Sequence, residues 1–493
     1  MQNYKKNRCT KPIPPLYFHM RQYKVAELLL ANLDHTPTGD QKETVDAISE
    51  FVAEKRSRSL FILAGYAGTG KTSLISALVK GLAALRLKSV LLAPTGRAAK
   101  VLAHFAASKS YTIHKKIYRQ KSAREGVGTF VLDRNLHKDT LFIVDEASMI
   151  GSDRSDGSNF GSGNLLSDLL EYVYSGAGCK LLLAGDTAQL PPVGSRLSPA
   201  LDTYGISLSG YNVVSRELRD VVRQSELSGI LVNATALRST IDSGVWSTPE
   251  LIAEGFDDIE RISGEDLTDS LNDAYNSKGV EDTVVVVNSN RLANVYNNGI
   301  RRTIFFRDEE VSAGDLLMVV KNNYFWLDES GGEDGAAFIA NGDVAEVQRV
   351  KKCEERYGLR FAEMSLWFPD YQAGVDAWVV LDTLNSDSPS LPSEKVRELY
   401  HSVAEDYSHI RSRRKQWEAI RNDPWFNALQ VKFAYAVTCH KAQGGQWKRV
   451  FIDQGHFNRQ EPASDYLRWL YTAVTRATEK LSLVNFSDKY FTG

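Results

Sequence analysis

Residues 65–72 read Gly-Tyr-Ala-Gly-Thr-Gly-Lys-Thr, and this stretch decides the fold. It fits the pattern G-x-x-x-x-G-K-[S/T], which in folded proteins joins a strand to a helix around a phosphate group. Here it follows the apolar run 60–64 and precedes a helical pattern of apolar residues at 74–79. Glycines let backbone N–H groups turn inward around a polyphosphate, and the helix N-terminus favours its negative charge. The alternative is a glycine-rich loop that only turns the chain.

The side chains of residues 71 and 72, with an acidic pair further along the chain, complete a predicted site for ATP hydrolysis. Lys71 would place its ammonium between the β- and γ-phosphates, and the Thr72 hydroxyl would bind Mg²⁺. Asp145 and Glu146 end the apolar run 141–144, where one carboxylate can hold Mg²⁺ and the other can polarise the attacking water. An Asp-Glu pair alone is usually solvated. After a buried strand and downstream of residues 65–72, it favours ATP hydrolysis over nucleotide storage.

Short apolar segments that alternate with helical patterns predict parallel sheets covered on both faces. They fall into two sets, at 60–64, 89–93, 141–144 and 180–184, and at 283–287, 449–453 and 481–485. The sequence therefore predicts two α/β domains, the second of which is split by an insertion.

Composition limits the remaining classes of protein. The 493 residues include 59 Lys and Arg against 61 Asp and Glu, a net charge of −2. This balance excludes a basic coat, so nucleic acid would need a local basic groove. The four cysteines are widely spaced, which argues against a disulfide scaffold or zinc ribbon. Without a long apolar run, we expect a soluble cytoplasmic protein that has no membrane partner.

The order of the motifs resembles that of superfamily 1 helicases. Residues 65–72, 145–148, 185–194 and 471–477 are similar to motifs I, II, III and VI of these helicases. The detail resembles the RecD/Dda-like members of the B branch. Four further segments carry this likeness: 94–99 (motif Ia), 112–114 (the element after it), 218–224 (motif IV) and 438–444 (motif V).

The resemblance implies two RecA-like P-loop domains with ATP between them and single-stranded DNA across the top. We expect an N-terminal extension at 1–35 and domain 1A at 36–215, with a pin-like hairpin insertion at about 115–138. Domain 2A would comprise 216–334 and 433–493, separated by an SH3-like and helical insertion, 2B, at 335–432. Residues 338–380 would supply the SH3-like barrel, and 393–420 a helix that braces it.

The same resemblance assigns roles at the nucleotide. The catalytic residues would be Lys71, Asp145, Glu146, Gln189, Arg223 and Arg476, and Mg²⁺ would be held by Thr72 and Asp145. Gln189 would sense the γ-phosphate, and the two arginines would reach that phosphate from the second domain. The remaining nucleotide-binding residues would be Gln41, which reads the adenine edge, with Gly65, Ala67, Gly68, Thr69, Gly70, Ser73 and Gly444. Without the motif order, Gln41 would be an ordinary surface residue.

The predicted DNA contacts come from both domains. They are Pro94, Thr95, Arg97, Thr112, His114 and Phe130 in the first domain, and Thr438, His440 and Lys441 in the second. Phe130 would be the aromatic residue of the pin. Taken alone, His114 and His440 would more often be ordinary polar surface residues. Because they occur as a pair after matching strands, the two interpretations stand about equal.

The resulting hypothesis is a monomeric, ATP-dependent DNA helicase that moves 5′ to 3′ on single-stranded DNA and opens duplex junctions. Replication, recombination or repair would be its setting, with proteins of those processes as partners. Two alternatives remain open: a translocase that strips proteins or remodels forks without unwinding, and a binding protein switched by the nucleotide. A small-molecule kinase is disfavoured because nothing resembles a phosphoacceptor lid.

Overall fold

The structure, a computed structural model, describes most of the 493 residues. The described ranges are 15–120, 130–151, 161–192, 194–195, 197–220, 228–244, 248–323, 325–327, 339–369, 372–455 and 463–491. For residues 15–21, 120 and 463 it describes the backbone alone.

The first domain is built on a six-stranded parallel sheet. Its elements are α1 (Pro15–Ala31), α2 (Gly39–Ala53), β1 (Ser59–Gly65), α3 (Lys71–Ala84), β2 (Lys88–Ala93), α4 (Gly96–Ala106), β3 (Ser110–Thr112), α5 (Ile113–Ile117), β4 (Tyr118–Gln120), β5 (Phe130–Leu132), β6 (Thr140–Val144), α6 (Leu165–Ser175), β7 (Lys180–Gly185), α7 (Thr203–Leu208) and β8 (Asn212–Leu218). The strand order is β3-β2-β6-β7-β1-β8. The four central strands are the four apolar segments that the sequence predicts.

Helix α1 belongs to this domain's core, although the sequence suggested a separate N-terminal extension. Val25 and Leu29 are fully buried, and they pack with residues of α2 and α3 in one apolar cluster. The predicted hairpin insertion is present as the antiparallel pair β4–β5. Its expected turn, which includes Gly126 and Gly128, lies outside the described residues.

The second domain is built on a five-stranded parallel sheet. Its elements before the insertion are α8 (Gly229–Ser243), β9 (Ile259–Ile262), α9 (Leu267–Lys278), β10 (Thr283–Val287) and α10 (Asn290–Thr303). After the insertion come β16 (Ala436–Thr438), α13 (Cys439–Ala442), β17 (Trp447–Asp453), α14 (Ala463–Val474) and β18 (Ala477–Val484). The strand order is β16-β10-β17-β18-β9.

A closed five-stranded barrel interrupts the second domain. It consists of β11 (Leu316–Val319), β12 (Val344–Arg356), β13 (Leu359–Phe368), β14 (Ala373–Val380) and β15 (Leu429–Phe433). The barrel therefore begins before residue 335 and takes its last strand from beyond residue 380. The first strand is apolar throughout, so its sequence looks like a strand of the parallel sheet.

The predicted helix over 393–420 is wrong as a single helix. It is two helices, α11 (Ser393–Asp406) and α12 (Arg413–Arg421). Residues 407–412 separate them, and Ser412 caps α12 by accepting a hydrogen bond from the Lys415 N–H. Both helices pack on the barrel through a cluster that includes Leu399, Val403, Ile420 and Trp425.

The two parallel-sheet domains pack against each other. One apolar cluster joins Tyr66, Ala188 and Leu190 of the first domain to Ile230 and Leu470 of the second. The predicted fold class, two P-loop α/β domains with a barrel insertion, is confirmed.

Candidate nucleotide and nucleic-acid site

The phosphate loop, residues 65–72, leads from β1 into α3 at the carboxyl edge of the parallel sheet. Gly70 adopts a left-handed conformation with φ of 82° immediately before the helix, a conformation that glycine accepts without strain. Lys71 Nζ donates to the carbonyl oxygens of Gly65 at 2.6 Å and Tyr66 at 2.9 Å. The Thr69 hydroxyl donates to the Tyr66 carbonyl at 2.8 Å. The loop is thus wrapped around the ammonium expected to meet phosphate.

Asp145 and Glu146 stand at the end of β6, close enough to Lys71 for its charge to act on Asp145. Burial and the negative charge of Glu146 raise the pKa of Asp145 to about 7, while Lys71 lowers it. Glu146 has a left-handed backbone with φ of 52°. Such strain in a residue other than glycine is concentrated at functional sites.

Gln41 is the predicted nucleotide residue whose surroundings differ most from expectation. Its side chain is fully buried. Its Nε2 donates to the Thr69 carbonyl at 3.0 Å, and its Oε1 accepts from the Thr38 N–H at 3.1 Å. Both ends of the amide are therefore engaged within the protein, one of them on the phosphate loop. Reading an adenine edge would require the amide to turn away from Thr69.

The loop after β7, residues 186–190, carries the predicted γ-phosphate sensor. Gln189 is 6% exposed, and among the described residues its Oε1 has no hydrogen-bond partner. A buried amide oxygen in this state is costly unless a ligand or water satisfies it. The carboxylate of Asp186 accepts from the Ala188 N–H at 2.9 Å, which fixes the loop.

Helix α14 of the second domain crosses to the first domain at this point. Tyr471 Oη accepts from the Ala67 N–H at 2.9 Å and donates to Asp186 at 2.6 Å. The Thr472 hydroxyl accepts from the Leu190 N–H at 2.8 Å. Arg468 donates to the Thr187 carbonyl. The second domain thus holds the 186–190 loop and the phosphate loop together.

Of the two arginines predicted to reach the γ-phosphate from the second domain, the structure describes Arg476 alone. Arg476 is 4% exposed and donates to the carbonyls of Thr472 at 2.9 Å and Gly445 at 3.2 Å. Its guanidinium is thus bonded within its own domain, and Tyr471 is the residue of this motif that touches the phosphate loop. Arg223 lies outside the described residues.

The N-terminus of α4 is the second meeting point of the domains. Thr95 caps α4 through the Ala98 N–H at 3.2 Å. The Arg97 guanidinium lies over the Trp447 ring, 3.8 Å from its centroid, and donates to the Gln446 carbonyl. Gly444 approaches so closely that an added Cβ would stand 2.9 Å from the Ala98 Cβ. Gly444 and Arg97 therefore contact the opposite domain, roles that the motif order did not indicate.

The other predicted DNA contacts follow the ends of β3 and β16. Thr112 caps α5 through the Lys115 N–H, and desolvation lowers the pKa of His114 to about 4, so its ring is neutral. Thr438 and His440 flank the start of α13, and His440 is exposed. Lys441 Nζ is buried without a hydrogen-bond partner among the described residues. Burial, and to a lesser extent the charge of Lys432, lower the pKa of Lys441 to about 8.

Phe130, the predicted aromatic of the pin, is the first residue of β5. It pairs with Gln120 and is half-buried against the core of the first domain. Pro94, just before α4, is also half-buried.

Sequence reasoning missed several residues that join the domains, among them Asp186, Gln443, Trp447, Arg468, Tyr471 and Thr472. It also missed Asp242 of α8, whose carboxylate accepts from the Tyr66 hydroxyl at 2.9 Å. Gln443 and Thr472 both bond Leu190. The Thr472 hydroxyl accepts from the Leu190 N–H, and the Gln443 Nε2 donates to the Leu190 carbonyl at 2.7 Å. Most lie inside or beside recognised motifs, so a search for unassigned polar residues there would have found them. Nothing in the sequence singles out Arg468.

A phosphate loop followed by an acidic strand end, faced by a second parallel-sheet domain, defines a P-loop NTPase with two RecA-like domains. Across the described ranges, no three His, Cys, Asp or Glu side chains gather into a metal site. None of the described helices is both long and apolar enough to cross a membrane.

Family models and curated relatives agree with this class. A family model described as an AAA domain matches residues 38–242, and a UvrD-like helicase C-terminal domain matches 433–484. The ATP-dependent DNA helicase dda of Enterobacteria phage T4 is 25% identical to this chain, and the alignment covers 89% of this chain and 97% of the phage protein. The ATP-dependent RecD2 DNA helicase of Deinococcus radiodurans is 34% identical over 28% of this chain and 17% of its own. A solved structure of Pif1 helicases at forked DNA covers 93% of this chain and 95% of its own, with 13% identity and a TM-score of 0.47.

The chain belongs to the superfamily 1B helicases. By that membership it is an ATP-hydrolysing DNA helicase, as the resemblance of its motifs predicted.

Proposed function

We propose that this protein moves 5′ to 3′ along single-stranded DNA and unwinds duplex DNA by hydrolysing ATP between its two parallel-sheet domains. The contact of α14 with both the phosphate loop and residues 186–190 carries the proposal. Through it, Tyr471 touches Ala67 and Asp186 while Thr472 touches Leu190. A change in the nucleotide at residues 65–72 therefore acts directly on the second domain.

The residues around the phosphate loop support the hydrolysis step. Lys71 supplies a positive charge beside the phosphates, and Glu146 polarises the attacking water. Gln189, whose amide oxygen has no hydrogen-bond partner among the described residues, offers that oxygen to the attacking water. Arg476 reaches the phosphate when the domains close further, exchanging carbonyl partners for a charged one.

Thr72 and Asp145 suit Mg²⁺, which prefers a few protein oxygens together with substrate phosphate oxygens. The metal would neutralise charge that develops on the phosphates. Asp145 must be ionised for this role, and the nearby Lys71 favours that form.

In this proposal, movement on DNA results from two contacts between the domains that form and break at the same time. The nucleotide contact lies on α14, and the second contact joins Arg97 and Ala98 of α4 to Trp447 and Gly444. Residues 94–97 and 438–441, the proposed DNA contacts, flank that second interface. Opening and closing of the cleft would therefore change the spacing between the two grips on the strand.

Unwinding needs more than movement, because each base-pair step costs about 1.4 kcal/mol to open. The half-buried ring of Phe130 favours a role in supporting the hairpin over insertion into a junction. This observation keeps the alternative open, a translocase that displaces proteins or remodels forks without net unwinding.

A gapped DNA substrate tests direction and unwinding together. One continuous strand carries labelled oligonucleotides annealed on both sides of a single-stranded gap, and ATP hydrolysis is followed in parallel. We expect ATP hydrolysis that DNA stimulates. We also expect release of the oligonucleotide annealed on the 3′ side of the gap, with the direction defined by the continuous strand. Release from the 5′ side alone would refute the direction. Stimulated hydrolysis without release would favour the translocase, and hydrolysis indifferent to DNA would favour the nucleotide-switched binding protein.

A further inference from the structure

Tyr471 is a second-domain residue that bonds the backbone of the phosphate loop. Its side chain is buried, with 1% exposure, and its hydroxyl makes two bonds that cross the domain boundary. It accepts from the Ala67 N–H at 2.9 Å and donates to the carboxylate of Asp186 at 2.6 Å. One oxygen therefore connects the loop expected to hold phosphate with the loop that carries Gln189.

The Ala67 N–H is a group that a bound nucleotide would use. Ala67 lies in the glycine-rich part of residues 65–72, where backbone N–H groups are the anion ligands. It also follows Gly65 and Tyr66, whose carbonyl oxygens hold the Lys71 ammonium. An oxygen that accepts from Ala67 thus occupies a position suited to a phosphate oxygen.

The neighbours of Tyr471 on α14 fix its hydroxyl in place. Thr472 bonds Leu190, and Arg468 bonds the Thr187 carbonyl. Asp186 is itself buried and fixed through the Ala188 N–H. The hydroxyl can therefore give up its bond from Ala67 while it still donates its proton to Asp186, so no buried carboxylate is left unpaired.

We propose that Tyr471 is a nucleotide-site residue supplied by the second domain. Its hydroxyl accepts from the Ala67 N–H at 2.9 Å, and a phosphate oxygen of ATP would compete for that same N–H. This inference rests on the proposed function, because it requires residues 65–72 to bind ATP. It makes Tyr471 a positioning residue that reports occupancy of the phosphate loop to residues 186–190 through Asp186.

Competition for one N–H predicts that loss of the hydroxyl strengthens nucleotide binding. Tyr471→Phe keeps the buried ring and removes only the oxygen. The Kd of a fluorescent, non-hydrolysable ATP analogue, measured without DNA, should fall by about two- to tenfold, the range expected for one net hydrogen bond. A purely structural role would give the opposite sign, since damage to an interface weakens binding.

Tyr466→Phe is the matched control on the same helix. The Tyr466 hydroxyl donates to Gln454 within the second domain, so its removal should leave the Kd unchanged. If Tyr471→Phe fails to fold, Asp186→Asn decides the matter, because a neutral partner holds the hydroxyl less firmly and should also lower the Kd.

An unchanged or raised Kd in a folded Tyr471→Phe protein, or in Asp186→Asn where that variant decides, would overturn the inference. Failure of the wild-type protein to bind the analogue would instead overturn the proposed function, which keeps the two failures apart.

Discussion

Gly444 offers a sharp test of the idea that domain approach controls hydrolysis. Its φ of 73° is left-handed, and a Cβ built on it would stand 2.9 Å from the Ala98 Cβ and 3.4 Å from the Thr95 hydroxyl. Carbon atoms pack best at about 3.5–4.0 Å, so Gly444→Ala intrudes by roughly 0.6–1.1 Å. Because Ala98 belongs to the body of α4, it cannot yield by rotating a side chain. The domains must separate by a comparable distance.

Gly244→Ala is the control, since it shares the backbone strain without the clash. Gly244 ends α8 in the same domain with φ of 66°, and an added Cβ there meets nothing within 4 Å. A left-handed alanine costs about 1–2 kcal/mol, so both variants should lose roughly this free energy of unfolding in urea titrations. Gly444→Ala should lose more, because its added Cβ also meets the Ala98 Cβ across the domain interface.

The decisive measurement is the kcat of DNA-stimulated ATP hydrolysis. A misplacement of about 1 Å in a catalytic arrangement costs up to roughly a hundredfold in rate. We therefore expect kcat to fall by about ten- to a hundredfold in Gly444→Ala and to stay near wild type in Gly244→Ala. Equal rates in the two variants would refute the claim that the α4 contact governs closure of the nucleotide site.

Two other expectations follow from the site. Lys71→Ala and Glu146→Gln should each abolish steady-state ATP hydrolysis. Only Glu146→Gln should still bind ATP tightly in equilibrium titrations, because it keeps Lys71 for the phosphates and loses the carboxylate that polarises water. Hydrolysis at the wild-type rate in either variant would contradict the assigned roles. Single-stranded DNA affinity, followed by fluorescence anisotropy, should fall as pH rises through about 8, where Lys441 loses the charge that attracts phosphate. Below that pH, Lys441→Met should bind single-stranded DNA more weakly than the wild type, and its affinity should change less with pH. The slope of log affinity against log salt concentration should decrease by about one. An unaltered dependence of affinity on pH would exclude Lys441 from the DNA contact.

The apolar parts of the central strands could be predicted because burial on both faces excludes most polar side chains there, although β17 and β18 begin two and four residues before the predicted segments. Thr283–Val287 is predicted to the residue, and β1, β2, β6 and β7 to within one residue at each end. Edge strands escape this reasoning. In β8, Asn212–Leu218, only the last residue is buried, so its composition does not distinguish it from a loop. The barrel misleads in the opposite way, since its first strand is as apolar as a strand of the parallel sheet.

Local chemistry of the site was predictable, and its long-range geometry was not. Residues 65–72 predict a phosphate loop because each residue type has a separate role: the glycines turn the backbone N–H groups inward, the lysine binds phosphate and the threonine binds Mg²⁺. The bond between Ala67 and Tyr471 spans 404 positions of the chain, and no local pattern carries that distance. Gln41 shows the same limit, because a motif assigns it to a nucleotide while only the structure reveals its bond to Thr69.

The two interfaces together explain why hydrolysis should depend on DNA. The phosphate loop, the proposed nucleotide site, lies against α14 on one side of the second domain, and the proposed DNA contacts flank the α4 interface formed by Arg97, Trp447 and Gly444. Both interfaces join the same two domains, so a ligand that favours closure at one lowers the free energy needed to close the other. DNA bound across 94–97 and 438–441 would thereby bring Arg476 nearer to the phosphates. Loss of the γ-phosphate would in turn loosen the grip on the strand.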